Sequence, residues 1–434
     1  MLVGVTMSEV SGICGSELFI ARVMFIAIGI GYLFPFSALT QPKDYWDLLF
    51  PDFDVEFPIT AVYMWVNLIL LFCIVFFGSA KPDYDARVYA GFIGQFFSLV
   101  LVPSSYFFGL SESGNYLIIM LCTAFAAGVT AGIDSCIISL ASLYPTSCQE
   151  ALQIGIGVST LIGSVYRILT KLYFPADAVV ASSLLYFYSG AFTVLICIAC
   201  YFYLGRLELS KKCVTPRPAL YSSPNSPLVN RRGSGKGGDY GAVKTEEGSA
   251  GDDDNPEEGD YDKRKNAFLK VWWNELQVFL VFSTSLALWP PLVSEIPSYD
   301  HPYLNKTEWW PLILLFDFAL MDVLGRFSVP FRAGLTAKNI HYVVFIRILI
   351  FVPAIICCVK GIGFCNRDYV SVFFVSLLGF TNGYVGSISI VLINEIIPAD
   401  ERGIVGSLTG FVLNAGLVAG ASAAIFIDDF VGGA

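Results

Sequence analysis

Residues 314–330 read LLFDFALMDVLGRFSVP, a run that is apolar enough to lie within a lipid bilayer. Two residues near its end, Asp322 and Arg326, carry charges that are expensive to place in hydrocarbon. An ionisable side chain at that depth costs several kcal/mol unless it is paired or hydrated, so it marks a functional site by default. What the two charges do depends on the rest of the chain.

The composition is that of a protein with many membrane-spanning segments. The chain has 434 residues, of which 55% are hydrophobic and only 14% charged, and its mean hydropathy is +0.66. Soluble domains carry about 25% charged residues. The net charge of -10 arises largely from one acidic run at 246–260. No basic patch with interleaved aromatic residues is present, which argues against nucleic-acid binding.

Cysteine and histidine give little sign of metal or redox chemistry. Most of the eleven cysteines lie in apolar runs, where cysteine acts as a small hydrophobic residue. The only histidines are His301 and His341, so we expect neither a metal site nor a cofactor. The N-terminus has no basic segment before its first long apolar run, so we expect no cleavable signal peptide.

Eleven segments are long and apolar enough to cross a bilayer, which takes about 20 residues. The sequence therefore predicts an all-α polytopic membrane protein. The predicted spans are 17–40, 58–79, 86–109, 115–144, 151–172, 181–204, 269–292, 309–330, 342–361, 369–396 and 403–427.

The predicted spans fall into a group of six and a group of five. We expect an N-terminal bundle at 1–204, a disordered cytoplasmic loop at 205–268 and a C-terminal bundle at 269–434. The loop is rich in Gly, Ser, Pro and charge runs, a composition that cannot bury much apolar surface. Two bundles joined by such a linker are typical of transporters with a major-facilitator-like fold, which rock about a central site.

The distribution of basic residues predicts the orientation. The even-numbered loops hold sixteen Lys and Arg residues, and the odd-numbered loops hold three. Because cytoplasmic loops are enriched in these residues, we expect a cytoplasmic N-terminus and an external C-terminus. The sequon at Asn305 falls in a loop that this topology places outside, so Asn305 is a candidate glycosylation site.

Asp322 and Arg326 share one face of span eight because they are four residues apart. Gly325 beside them permits a neighbouring helix to approach closely. Asp317 lies about 140° round the helix from Asp322, so we expect it to face elsewhere. The pair either lines a polar cavity that binds the hydroxyl groups of a substrate, or forms a structural ion pair, or Arg326 extends to the cytoplasmic surface.

Asp134, in the middle of span four, is a second intramembrane carboxyl group. It either hydrogen-bonds a heterocycle or carries a proton, or it is a permanently protonated acid bonded to a neighbouring helix. Arg167 in span five either pairs with a carboxylate across the bundle or extends to the membrane surface. For Glu275, Glu395 and Arg347, which lie near predicted span ends, we expect contact with solvent.

Three further polar or aromatic residues are open to two interpretations. Asn382 and Tyr384 in GFTNGYVGSISI either bond between helices or reach a cavity. Trp289, beside two prolines in LALWPP, is either an interface residue or a binding aromatic.

Taken in order, several motifs resemble the equilibrative nucleoside transporter family over nearly the whole chain except 205–268. Span eight matches the family's D-x-x-G-R pattern, and span ten has its N-G-Y. Span one, GYLFPFSALTQPKDYW, is similar to the family's L-P-W-N region, with Phe36 in place of the Trp. Span five ends in the family-like R-I-L-T-K.

The resemblance implies roles for several side chains. Asp322 and Arg326 would bind the sugar, and the span-one aromatic residue would contact the base. The pocket would also be lined by Leu33, Phe36, Thr40 and Leu417. Asp134 stands eleven residues before Pro145, where the family usually has Gln. An ionised Asp only accepts hydrogen bonds, whereas Gln both donates and accepts.

We therefore expect a monomeric permease for nucleosides or nucleobases in the plasma membrane, either facilitative or coupled to protons through Asp134. The alternative in the same class is a permease for organic cations or another polar metabolite. An intramembrane enzyme is not expected, because neither the G-x-G-D of aspartyl proteases nor the G-x-S-G of rhomboid-like proteases occurs. A receptor or structural protein remains the rival from another class.

Overall fold

The computed structural model describes residues 15–51, 55–78, 83–175, 178–214, 256–307 and 309–432, and no strand occurs in these ranges. Four short helices, at Lys43–Leu49, Glu208–Val214, Pro291–Glu295 and Pro302–Lys306, lie between the long ones. The long helices of the described residues are α1 (Gly15–Thr40), α2 (Glu56–Phe77), α3 (Tyr84–Ser104), α4 (Glu112–Ser142), α5 (Thr146–Tyr173), α6 (Val179–Gly205), α7 (Pro256–Leu288), α8 (Trp309–Phe327), α9 (Ile340–Lys360), α10 (Asp368–Ile396) and α11 (Arg402–Gly432).

Ten of these helices are long and apolar enough to cross a membrane. The helix outside that set is α8, whose 19 residues include Asp317, Asp322 and Arg326. The all-α membrane fold is confirmed. The count of eleven spans stays a prediction, because the charges of α8 lower its apolar character.

Local sequence signals account for several helix ends. The Asp83 side chain accepts a hydrogen bond from the Ala86 amide at 3.1 Å and begins α3, and Ser111 accepts from the Gly114 amide at 3.3 Å before α4. Such caps satisfy amide groups that the first turn leaves without partners. Helix α9 ends at Gly361, whose φ of 61° lies in the left-handed region that favours glycine.

The helices pack as two bundles. In the first, α5 packs on α1, and α6 packs on α1 and α3, while α4 packs on α2 and α3. In the second, α7 packs on α11 and α10, and α10 also packs on α8 and α9. The bundles meet where α5 contacts α8 and where α2 and α4 contact α11. A site at these crossings therefore has side chains from both bundles.

Glycine permits the closest helix crossings. A Cβ atom on Gly325 of α8 would overlap the carbonyl oxygen of Phe380 in α10, and one on Gly383 of α10 would overlap that of Asp322. The backbones of α8 and α10 therefore touch beside the charged pair. This is the close approach that Gly325 predicts from the sequence.

The predicted loop at 205–268 is wrong at both ends. Residues Glu208–Val214 form a helix, and α7 already begins at Pro256. The first helix is held because Leu209 is buried and its amide donates to Glu17 Oε2 at 3.3 Å, while Lys211 pairs with Glu208 at 2.7 Å. Residues 215–255 of the predicted loop lie outside the described residues, and the three-part division of the chain stays a prediction.

Candidate functional site

The charged pair of α8 is buried and fully engaged. Arg326 Nε donates to Asp322 Oδ2 at 2.7 Å, and each side chain is only 5% exposed. Asn382 on α10 donates through Nδ2 to the other carboxylate oxygen, Asp322 Oδ1, at 2.7 Å. Asn382 is therefore a helix-to-helix contact that holds the carboxylate from the other side.

Arg326 also reaches across to the first bundle. Its Nη1 donates to both the backbone oxygen and the side-chain Oε1 of Gln153 on α5, each at 3.0 Å. Gly157, one turn along α5, makes room for the guanidinium, since a Cβ there would lie 2.6 Å from Arg326 Cδ. Arg326 therefore does not extend to the membrane surface but joins the two bundles.

The network continues into the second bundle through Arg347. Ser285 donates to Asn382 Oδ1 at 2.5 Å and accepts from Arg347 Nη2 at 2.6 Å. Arg347 also donates to the Val281 carbonyl at 2.9 Å and to Thr381 Oγ1 at 3.0 Å. The expected solvent contact of Arg347 is wrong: the residue is 3% exposed, because acceptors on α7 and α10 satisfy its guanidinium inside the bundle.

Asp134 on α4 lies in a second, different polar environment. It is 2% exposed, and its Oδ2 accepts from Asn67 Nδ2 of α2 at 2.7 Å. Tyr32 on α1 and Asn414 on α11 approach the carboxyl group. No donor among the described residues completes a hydrogen bond to Asp134 Oδ1. Within the described part of the chain, Oδ1 therefore has no donor in full hydrogen-bonding geometry, although the side chains of Tyr32 and Asn414 lie close to the carboxyl group.

The polar layer around Asp134 extends one turn along α4. Thr130 accepts from the Tyr63 hydroxyl group and from Gln95 Nε2, both at 3.0 Å. Gln95 is fully buried, and its Oε1 has no partner among the described residues. This layer therefore joins α2, α3 and α4 and offers a further buried acceptor.

An apolar wall lies next to this layer. The rings of Phe36 and Tyr63 are 5.0 Å apart, and Phe36 and Leu417 pack on one hydrophobic cluster between the bundles. Phe36 is one turn beyond Tyr32 on α1, and Leu417 is one turn beyond Asn414 on α11. Leu33 is partly buried against the same core as Phe36. Phe36 and Leu417 therefore lie one helix turn from two residues that approach Asp134, while Leu33 packs on the core of the first bundle.

Other predicted site residues have contacts elsewhere. Trp289 stacks on Phe318 with ring centres 4.6 Å apart, in a separate hydrophobic cluster of the second bundle. The Thr40 hydroxyl group donates to the Phe36 carbonyl of its own helix at 3.1 Å. The Tyr384 hydroxyl group donates to the Phe331 carbonyl at 2.6 Å. These three residues contribute packing and helix contacts in this conformation.

Arg167 and Asn305 also have defined surroundings. Arg167 is 5% exposed and donates to Ser182 of α6 at 3.5 Å, so it stays inside the first bundle. Asn305 is exposed, and its side chain donates to the Ser298 carbonyl at 3.0 Å and accepts from the Ser298 amide at 2.8 Å. Glycosylation of Asn305 remains a prediction.

Of three further acidic residues, one is buried against expectation and two lie where the sequence predicts. The expected solvent contact of Glu275 is wrong, because the residue is 1% exposed and accepts from Thr409 of α11 at 2.6 Å. Glu395 is exposed and pairs with Arg332 at 2.9 Å. Asp317 accepts from Ser376 at 2.7 Å, and it takes no part in the contacts of Asp322, as the helical geometry predicts.

Sequence reasoning missed the neutral partners of the charged residues. Gln153, Asn67, Ser285 and Gln95 are each at least 90% buried and complete the two networks. Each is a polar residue within an apolar run, which is a detectable signal. They carry no charge, so a pattern of ionisable residues does not include them. No group of three metal-ligating side chains with the geometry of a metal site occurs among the described residues.

Residues 118–428 match the protein family described as Nucleoside transporter. The chain belongs to the nucleoside transporter family. The matched residues include the Asp322–Arg326 network and Asp134 itself, and the family expected from the motifs is confirmed. The chain is 25% identical over 414 residues to Equilibrative nucleotide transporter 1 of Arabidopsis thaliana, covering 94% of this chain and 85% of that protein.

Two further likenesses agree with this family and with the fold. The chain is 21% identical to the human Equilibrative nucleoside transporter 4, covering 91% of this chain and 80% of that protein. It resembles the proton:xylose symporter XylE of E. coli with a TM-score of 0.62 at 11% identity, covering 96% of this chain and 89% of that one. XylE is a major facilitator superfamily protein, so the major-facilitator-like fold is confirmed.

Proposed function

We propose that this membrane transporter moves nucleosides or nucleobases by alternating access between its two bundles. The observation that carries the proposal is the position of Arg326. It belongs to the second bundle, pairs with Asp322 there, and is hydrogen-bonded to Gln153 of the first bundle. A ligand at this point contacts both bundles at once, which is what a rocking mechanism needs.

The pair is suited to the hydroxyl groups of a ribose. A carboxylate accepts from a hydroxyl group, and a guanidinium donates to one, so two neighbouring hydroxyl groups can engage both. In this structure Gln153 accepts from Arg326, and Asn382 donates to Asp322. The hydroxyl groups of a sugar would take these two positions. Substrate hydroxyl groups would replace these contacts, and the exchange would offset the cost of separating Arg326 from Gln153.

The base would lie against the apolar wall of Leu33, Phe36 and Leu417. An aromatic ring gains from stacking on another flat ring, and the surrounding aliphatic groups exclude water. Asp134, beside this wall, has an acceptor without a partner and favours bases that present N–H donors. This arrangement supports substrate recognition through N–H groups at the base end of the site.

Asp134 supports two further versions of the function. A buried carboxyl group that lacks a basic partner is suited to take up and release a proton, which would couple transport to a proton gradient. The second candidate function is transport of organic cations, because an ionised Asp134 would attract a positive group. Both versions depend on Asp134.

Uptake by the purified protein in proteoliposomes tests the proposal. Labelled nucleosides, nucleobases and an organic cation are compared with and without an inward pH gradient. We expect saturable nucleoside or nucleobase flux that is lost in Asp322→Asn. Flux that follows the gradient selects proton coupling, and flux of the cation alone selects the second candidate. Absence of flux for every compound, in protein shown to be folded, contradicts the proposal.

Orientation in the membrane is tested in cells. We propose a plasma-membrane protein with its N-terminus in the cytoplasm, supported by the basic even-numbered loops. Labelling of a cysteine introduced at Lys338 in intact and in permeabilised cells tests this, since the proposed orientation makes that loop accessible only after permeabilisation.

A further inference from the structure

Three cysteines lie together at the end of the second bundle where α9 turns into α10. Cys357 and Cys358 are in the last turn of α9, and Cys365 follows a short connection. Cys358 and Cys365 are 0% and 3% exposed and belong to the same hydrophobic cluster, whereas Cys357 is only partly buried. The two buried thiol groups are therefore enclosed together.

The backbone between them forms a tight turn that brings the chain back onto α9. Gly361 and Gly363 have φ angles of 61° and 63°, which side chains other than that of glycine rarely permit. The Ile362 amide donates to the Cys357 carbonyl at 3.0 Å, and the Cys365 amide donates to the Ile362 carbonyl at 3.1 Å. This turn brings the Cys365 side chain next to the side chains of Cys358 and Cys357, and Cys365 and Cys358 are buried in one hydrophobic cluster.

The preceding loop between α7 and α8 fixes this turn. The Tyr299 hydroxyl group donates to the Cys358 carbonyl at 2.6 Å. The Tyr299 amide in turn donates to Asp368 Oδ1 at the start of α10, also at 2.6 Å. The α9 end of the turn is therefore tied to the α7–α8 loop, and that loop is tied to the start of α10, by contacts that do not depend on the sulfur atoms.

We propose that Cys358 and Cys365 form a disulfide in the mature protein, although both are thiols in this structure. Each Sγ would lose one hydrogen as the S–S bond forms. An oxidant that is itself a disulfide would take up the two hydrogens by thiol–disulfide exchange and leave as two thiols. A disulfide persists in an oxidising compartment. The predicted topology puts this end, with Asn305, on the external side.

The disulfide would close a short loop at the outer end of α9. Cross-linking stabilises a protein mainly by restricting its unfolded chain. It would also join α9 covalently to the connection that leads into α10, the helix that carries Asn382. A permanently closed turn would keep the outer end of the second bundle rigid while the bundles move.

Counting reducible thiols in the full-length protein tests the pair. The protein is expressed in yeast and denatured in the presence of N-ethylmaleimide, which blocks free thiols. It is then reduced and labelled with a maleimide mass tag. We expect two tags on the wild-type chain, none on Cys358→Ser or Cys365→Ser, and two on the matched control Cys357→Ser. Reductant is expected to lower the Tm of the wild type and to leave that of the Cys358→Ser/Cys365→Ser double variant unchanged.

Two results would overturn the proposal. If the wild-type chain gains no tags after reduction, the two cysteines remain thiols. If Cys357→Ser loses the tags while Cys358→Ser keeps them, the bridge joins Cys357 to Cys365 instead. Because labelling is done on denatured chains, a serine variant that folds poorly still reports its bridged thiols.

Discussion

Asp322 and Asp134 are both buried carboxyl groups in membrane helices, but their surroundings differ. Both are less than 5% exposed. Asp322 is bonded at both oxygens and has a guanidinium partner, Arg326. Asp134 is bonded at one oxygen, by the neutral amide of Asn67, and its other oxygen has no partner among the described residues. The two carboxyl groups are therefore similarly buried but differ in how many of their oxygens accept a hydrogen bond.

The contacts fix the charge of Asp322 in an ion pair, whereas they leave Asp134 able to bind a further group. A buried ion pair is costly to break, because removal of one partner leaves the other charge uncompensated. An acceptor without a partner is costly as it stands and gains from any donor that arrives. The first arrangement suits a contact that joins the bundles, and the second suits recognition of a substrate or of a proton.

Replacement of Asp322 by Asn should have the largest effect. The change removes the negative partner of Arg326 and leaves a buried guanidinium with neutral acceptors only. Breaking a buried pair in this way costs about 3–5 kcal/mol. We expect loss of uptake and a lower Tm, measured by transport in proteoliposomes and by thermal unfolding in detergent.

Asp317→Asn is the matched control, since both residues lie on α8. Asp317 is half-buried and accepts one hydrogen bond from Ser376, which an Asn oxygen can also accept. Uptake and Tm should therefore stay near those of the wild type. Equal losses in the two variants would show that any acid on α8 is required, and the special position of Asp322 would be refuted.

Replacement of Gly383 by Ala should have the next largest effect. The added Cβ would overlap the Asp322 carbonyl oxygen, so α8 and α10 would have to separate beside the charged pair. Overpacking of this kind costs about 1–3 kcal/mol. We expect a lower Tm and a reduced maximal uptake rate, because Asn382 would move away from Asp322.

Gly132→Ala on α4 provides the comparison for that substitution. Nothing lies within 4 Å of a Cβ at Gly132, which is close in the chain to Asp134. Its Tm should be unchanged or slightly raised, since Ala is the better helix former. A stable Gly383→Ala variant would contradict the close crossing of α8 and α10.

The outcome for the charged pair shows what the sequence alone can predict. Spacing of four residues on a helix places Asp322 and Arg326 on one face, and Gly325 predicts a close neighbour. The partner across the bundles could not be found in this way, because Gln153 is 173 residues from Arg326 in the chain. Periodicity locates helix faces, but only the tertiary fold decides which faces meet.

Burial near helix ends was the weakest part of the prediction. Glu275 and Arg347 were expected to reach solvent because they lie near the predicted ends of spans. In the structure α7 begins at Pro256, so Glu275 is well inside its helix, and α7 and α10 supply acceptors for Arg347. The apolar wall of Phe36 and Leu417 was expected from the family resemblance, not from composition or spacing.

Replacement of Asp134 by Asn should alter selectivity more than stability. Asn keeps an oxygen for Asn67 but adds N–H donors and cannot ionise. We expect a changed ranking of nucleobases and a flatter dependence of uptake on external pH, with a small change in Tm. Uptake of the labelled substrates is measured from about pH 5.5 to 8.

Asn67→Ala is the companion variant, because it removes the donor and leaves the carboxyl group. Its pH dependence should be altered but not lost. If Asp134→Asn keeps both the substrate ranking and the pH profile of the wild type, Asp134 is a structural acid. Its likeness to Asp322 would then be closer than the contacts indicate.

Replacement of Asp300 by Asn should have the smallest effect and gives the reference for a carboxylate in water. Asp300 lies in the loop between α7 and α8, accepting from the Asp368 amide at 3.0 Å and from Arg367 at 3.0 Å. The Asp368 amide, then the Arg367 guanidinium, lower the pKa of Asp300 below its usual value.

A lowered pKa sets the direction of the pH effect. Because the folded state binds the proton less tightly than the unfolded chain does, Asp300 contributes stability above the usual aspartate pKa of about 3.9, and this is lost as the pH falls through the folded value. Asp300→Asn should therefore lower the Tm slightly at neutral pH, and this difference should shrink as the pH falls below about 3.9. A Tm difference that grows toward acid pH would reverse the sign and contradict these contacts.

A loss of Tm at neutral pH as large as that of Asp322→Asn would show that burial is not what distinguishes the carboxyl groups of this protein.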